Sequence, residues 1–325
     1  MIPSPFGYLR PESKQEALTM LAGTGEVRPL AGGHSIIPMM KLRMAAPDKL
    51  VDISSLNELI GIEVGPAIIT IGASTTQHDL IASADLFKVC PIIRETSELI
   101  ADPQIRYFGT LGGNVGNGDP GNDMPGLMKC LDAAYVIESV DGVREVKARD
   151  FYEAAYFTAL QTGELITAVK IPCPAAGHGY AYTKLKRKVG DYATAAAAVV
   201  LEMTGGTVRD CSIALTNVGD TPLFAAAAVD ALKGGTLSEA EVDAAVAAAE
   251  AIAEPAADGR GSVEYRTKMA GVMVRRAIAL AQSRAGEAAP RPTPPPAPPA
   301  APPPAAPEQS SSEEKKGGLF SWLKS

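Results

Sequence analysis

The sequence predicts an α+β protein of two domains, the second smaller than the first, followed by an extended tail. Three observations carry this. Over the first 177 residues, short strand-like apolar runs mix with short helical patterns, and turn signals fall at Gly65 with Pro66 and at Asp141 with Gly142. A cluster of breakers, Pro172, Pro174, Gly177 and Gly179, then precedes three apolar runs and three helical ones. That order predicts a three-stranded antiparallel sheet with helices over 178–285. Beyond it the composition collapses to Pro and Ala over 286–318, a disordered spacer with no means of forming a core, and ends in an amphipathic motif at 319–325.

The elements follow in order. Ser13 and Glu16 have capping-box spacing ahead of Ala17, Leu18 and Leu21, so a helix starts there and stops near Gly23. Residues 27–30 read as a short strand, 36–42 as a short helix and 49–53 as a buried strand. Residues 59–64 and 67–71 form a hairpin. Helices are expected over 75–81 and 91–100, the second turning Ile92, Ile93 and Leu99 inward. The stretch 102–125 is glycine-rich, polar and without periodicity, and reads as a long functional loop. A helix over 124–131, a hairpin of 135–138 with 143–147 and a strand over 165–171 complete the first domain. In the second, strands span 180–186, 195–203 and 208–216, with Gly205 and Gly206 turning the last pair. Residues 195–198 alone suit a helix, but Val199, Val200, Leu201 and the turn favour a strand. Helices follow at 223–233, at 238–252 behind a second capping box of Ser238 and Glu241, and at 264–284.

Two segments organise the chain: Ala31, Gly32, Gly33, His34 and Ser35, and Thr110, Leu111, Gly112, Gly113 and Asn114. Each sets adjacent glycines beside small polar residues. A glycine pair lets backbone N–H groups converge on an anion, because no Cβ blocks the approach and positive φ costs little. One such segment suits a phosphate; two suit a pyrophosphate, hence a dinucleotide. Either alone also reads as an ordinary turn. Ser35 and Thr110 add hydroxyl donors. His34 acts either by backbone position or as a neutral imidazole. The sequence has no G-x-x-x-x-G-K-[ST] loop and no G-x-G-x-x-G opening a βαβ unit.

Composition narrows the class. A net charge of −7 argues against a nucleic-acid surface, which needs a basic stripe. Cys90, Cys130, Cys173 and Cys211 are scattered with no C-x-x-C, so no iron–sulfur or zinc site is expected. They read as reduced thiols, which fits a cytoplasmic location. The first residues lack a charged region followed by an apolar run, and no window has the length of a membrane span.

Further motifs surround the glycine pairs: Pro38 to Arg43 (PMMKLR), Ile100 to Arg106 (IADPQIR), Asn117 to Pro125 (NGDPGNDMP) and Gly190 to Thr194 (GDYAT). Together, in this order over about residues 1–285, they make the chain resemble the flavin-binding medium subunits of the molybdenum hydroxylases, and among those the aerobic carbon monoxide dehydrogenases. The resemblance implies a PCMH-type FAD-binding first domain, with the two glycine segments on the FAD pyrophosphate. It implies that Asp123 binds the adenosine ribose; a helix cap is the equal alternative. It implies that Tyr192 stacks on the isoalloxazine, that Lys184 is directed at the flavin, and that Ile166, beside Leu165, sets a main-chain amide against the ring. No catalytic residue and no metal ligand is implied in this chain. The implied activity is a relay: a large molybdenum–copper subunit oxidises CO with water to CO2, a small subunit with [2Fe–2S] clusters carries electrons, and FAD here passes them to an external acceptor, a quinone. Two other assignments fit the same residues: a flavin subunit of a hydroxylase for xanthine or an aromatic substrate, and a flavin-free docking adaptor. The tail departs from the resemblance. Its Leu319, Phe320 and Trp322 suit docking on a partner protein or on the inner membrane face, with Lys324 snorkelling.

Overall fold

The computed structural model describes residues 2–286. The spacer expected at 286–318, apart from Gly286, and the motif at 319–325 lie outside the described residues. The described fold is α+β.

The chain opens with a small parallel sheet. Strand Lys49–Asp52 lies between Gly7–Leu9 and Val27–Leu30, all three parallel. Helix Lys14–Leu21 covers it through Ala17, Leu18 and Leu21, which join Val51, Ile53 and Leu59 in one apolar cluster. The expected capping box at this helix is half formed. Ser13 accepts the Glu16 N–H, but the Glu16 carboxylate accepts from the Glu12 N–H, not from Ser13.

A five-stranded antiparallel sheet follows. Its order is Ile62–Val64, Ile68–Gly72, Leu165–Pro172, Ala134–Ser139, Gly142–Lys147. Leu165–Pro172 returns from far along the chain to insert at the centre, pairing Val169 with both Ile71 and Tyr135. Helices Gln77–Ala82, Pro91–Glu98 and Asp123–Cys130 contribute Leu80, Ile92, Ile93, Leu127 and Met128 to the core behind it.

The second sheet is antiparallel in the order Gly179–Leu185, Ala195–Thr204, Thr207–Thr216, Leu223–Phe224. It therefore has four strands, not three. Leu223 and Phe224, just after Pro222, pair with Leu215 and Ala214, so the helix expected from residue 223 begins at Ala226. Ala195–Thr204 is a strand buried on both faces. Ala196, Ala198 and Val200 enter the core of the first sheet; Ala195, Ala197, Val199 and Leu201 pack toward helices Glu239–Ala251 and Val263–Arg284. That period of two is the signature of a strand.

The expected loop 102–125 is more ordered than its sequence suggests. Asp102 caps Pro103–Arg106 and Thr110 caps Leu111–Gly116. Helices of four and six residues are too short to display a period. Strand Gly7–Leu9, helix Ala84–Val89 and the ribbon Tyr152–Ala154 with Phe157–Thr158 are further elements that the sequence reading does not anticipate.

Candidate functional site

Both glycine segments open onto one cavity of about 340 Å³. The first leaves the parallel sheet at the end of Val27–Leu30 and turns at Gly33, whose φ is +75°. Gly32 passes so close to the second segment's approach that a Cβ there would sit 1.9 Å from the Phe108 carbonyl oxygen. His34 lays its ring edge-on to Phe108 at 5.8 Å. Among the described residues, the N–H groups of Gly32, Gly33, His34 and Ser35 meet no protein acceptor. These are the donors an anion needs.

The second segment is built differently, which corrects the expectation of a second amide cradle. Four of its five N–H groups are spent inside the protein: Leu111 on Thr75 O (2.9 Å), Gly112 on Ala73 O (2.7 Å), Gly113 on Thr110 Oγ1 (3.0 Å) and Asn114 on Thr110 O (3.0 Å). Leu111 is fully buried in the core and does not line the cavity. Gly112 is small to clear Ala73, whose Cβ would lie 2.5 Å from its own. What this turn offers the cavity is bare backbone at Gly112 and Gly113, the Thr110 hydroxyl and Asn114.

At another part of the wall stand Asp123 and Lys184. Asp123 is the first residue of its helix, not the cap, a position held by Asn122. Its carboxylate accepts from Lys184 Nζ at 2.7 Å and from the Tyr182 hydroxyl at 2.7 Å. Both side chains of the ion pair are almost wholly buried. Burial pushes the Asp123 carboxyl up, against the pull of Lys184 and Tyr182. Lys184 also donates to Leu99 O at 3.3 Å. The resemblance assigns Asp123 and Lys184 to opposite ends of a dinucleotide, yet the fold joins them in one pair.

Tyr192 is exposed, at 42%, on a loop that charges hold in place. Arg187 donates to Asp191 at 2.9 Å and to Gly259 O at 3.1 Å. The Tyr192 ring lies over Gly121, where a Cβ would come within 3.1 Å of Cγ, and its hydroxyl donates to Asp119 at 3.1 Å. Burial, then Asp119, pushes this phenol up. Ile166 lines the cavity beside a bulge that shifts the register between Ile166 and Ala168; such a bulge re-aims a side chain.

Thirteen of the fourteen residues singled out from sequence thus share one cavity, Leu111 being the exception. The sequence reading misses Gln77, Leu160 and Glu164, and gives Ile100, Ala101 and Ile105 no role although they fall in a quoted motif; all six line the same cavity.

Residues 4–174 match the family described as the FAD binding domain in molybdopterin dehydrogenase, and residues 180–281 match the CO dehydrogenase flavoprotein C-terminal domain. The carbon monoxide dehydrogenase medium chain of Afipia carboxidovorans is 60% identical over 88% of this chain and 99% of its own length. The chain belongs to the carbon monoxide dehydrogenase medium-chain family. The medium chain of Hydrogenophaga pseudoflava is 45% identical over 87% of this chain and 99% of its own. A chain in the crystal structure of the Cu,Mo-CO dehydrogenase, cyanide-inactivated form, superposes with a TM-score of 0.86 over 88% of this medium chain and all of that one.

This medium chain is accordingly an oxidoreductase subunit, and its cofactor is FAD. The cavity fits that group. It offers unpaired amides beside a left-handed glycine, an apolar wall of Ile100, Ala101 and Ile166, an aromatic ring at Tyr192, and a buried hydrogen-bonding pair. Among the described residues no helix is long and apolar enough to cross a membrane.

Proposed function

We propose that residues 31–35, Thr110, 112–114, Asp123, Ile166, Lys184 and Tyr192 hold FAD, and that this chain is the electron exit of a molybdenum–copper carbon monoxide dehydrogenase. In that complex a large molybdenum–copper subunit oxidises CO and a small [2Fe–2S] subunit feeds electrons to this chain. The convergence of both glycine segments, the Asp123–Lys184 pair and Tyr192 on one cavity carries the reading. Residues 1–177 form the FAD-binding domain and 178–285 the second domain, which contributes Lys184 and Tyr192.

FAD, when bound, takes electrons singly and yields them in pairs, which suits a junction between iron–sulfur clusters and a quinone. The chain's own residues bind and tune. The amides of 31–35 neutralise the pyrophosphate. The glycines of 110–114 let the cofactor lie against the backbone. Tyr192 and the Ile100–Ala101 wall exclude water from one ring face. Lys184 brings a cation to the flavin end, where it favours the electron-rich form. Asp123, tied to Lys184 and Tyr182, would bind the adenosine ribose, as the resemblance implies. The tail, ending in Leu319, Phe320 and Trp322, docks the complex at the inner membrane face, where quinone resides.

The visible spectrum of the purified complex tests this. A flavin band that bleaches on admission of CO and returns with a quinone is expected. A complex that oxidises CO with a colourless medium chain refutes it.

A further inference from the structure

Gln77 is the first residue of helix Gln77–Ala82, after Thr76 and Asp79 close a capping box. Its side chain lines the FAD cavity and is 1% exposed. Both its amide oxygen and its amide nitrogen are buried without a hydrogen-bond partner. Among the described residues, buried polar atoms at Ser74, Arg94, Ser97, Thr216 and Arg260 also lack partners, but none of those residues lines the cavity. An unsatisfied buried carboxamide is costly, and at the wall of a ligand cavity a bound group can complete it.

The backbone around Gln77 shows what that something is. The Gln77 N–H donates to Gly109 O at 2.8 Å, and Thr76 forms an antiparallel bridge with Thr110. Gly109 is also where the first glycine segment touches the second, since a Cβ on Gly32 would meet the Gly109 nitrogen at 3.0 Å. Gln77 is therefore pinned beneath the junction of the two glycine segments. In the second of these, the amides of residues 111–114 are all spent inside the protein.

We infer that Gln77 is a cofactor-binding residue whose side-chain N–H2 donates to the diphosphate of FAD, supplying on the second segment's side a donor that the amides of residues 111–114 cannot. The inference rests on the FAD assignment of this cavity. The carboxamide suits the task because it is neutral, so it does not compete with the free amides of 31–35. Its second N–H and its oxygen remain for a bridging water.

The test uses the full-length chain freed of flavin and titrated with FAD, with thermal melting of the flavin-free form as the folding check. Gln77→Leu keeps the volume and removes the polar atoms. Its flavin-free form should melt at or above the wild-type temperature, because an orphaned amide is gone, while FAD binds about 10- to 100-fold more weakly. Unchanged FAD affinity would overturn the inference and leave Gln77 as packing. Gln77→Glu places a carboxylate against the diphosphate and should bind more weakly still at neutral pH, recovering as acid neutralises the side chain. Wild-type affinity in that variant at neutral pH would show that no anion lies there. A wild-type chain that takes up no FAD would instead sink the cavity's assignment, a separate outcome from either variant failing beside a wild type that binds.

Discussion

The two glycine segments look alike as text and differ as physical objects. In residues 31–35 the backbone turns at a left-handed Gly33 and leaves four N–H groups unclaimed. In residues 110–114 the backbone coils into a capped helical turn, and the N–H groups of 111–114 are claimed by Thr75, Ala73 or Thr110. One segment uses glycine to expose donors. The other uses it to remove bulk, Gly112 against Ala73 and Gly113 toward the cavity. A doubled glycine therefore says that backbone approaches something closely, and only the fold says whether that is a ligand or a neighbouring strand.

Four substitutions bear on this contrast. Gly33→Asp should have the largest effect on cofactor. Its Cβ would come 2.8 Å from Ile37 Cδ1, which must shift, and a carboxylate beside the pyrophosphate costs on the order of 3 kcal/mol, a loss of over a hundred-fold in affinity. The flavin-free chain should still fold, since Asp tolerates the left-handed region better than most residues. Full flavin content in this variant would remove the first segment from the site. Gly112→Ala should reverse the pattern. Its methyl meets Ala73 Cβ at 2.5 Å and O at 2.8 Å, so the flavin-free protein should lose about 2 kcal/mol in denaturant melts. If stability held and only FAD binding fell, the second segment would be a ligand loop after all. Tyr192→Ala should loosen FAD by about 1 kcal/mol and shift its midpoint potential, with little change in flavin-free stability. An unaltered potential and affinity would return Tyr192 to a packing role. Thr110→Ala should be the mildest, costing about 1 kcal/mol of stability through the lost cap. It also frees the Gly113 N–H. FAD affinity rising in Thr110→Ala would mean that this amide competes for the cofactor, against the division of labour drawn above.

Much of the fold was legible because its signals are local. The Gly205–Gly206 turn, the Ser238–Glu241 capping box and the Asp141–Gly142 hairpin lie where the residues say they must. What was not legible depends on partners distant in sequence. Leu223 and Phe224 are extended only because residues 214 and 215 are there to pair with. Asp123 meets Lys184 across 61 positions, a pairing that no local pattern announces. The amides of 110–114 read as free until Ala73 and Thr75 come alongside. Gln77, in a run of Thr75, Thr76 and Gln77, looks like an ordinary helix start. The lack of a partner for its side chain is a property of the folded cavity, not of the run.

Strand Ala195–Thr204 presents alternate alanines and valines to two cores, one before and one after residue 177. Splitting the polypeptide at that point would not release two self-sufficient pieces. Each fragment would carry a raw hydrophobic face that only the other fits. Co-expressed halves should reassemble, whereas either alone should aggregate, so heating the intact chain should melt both sheets in a single transition.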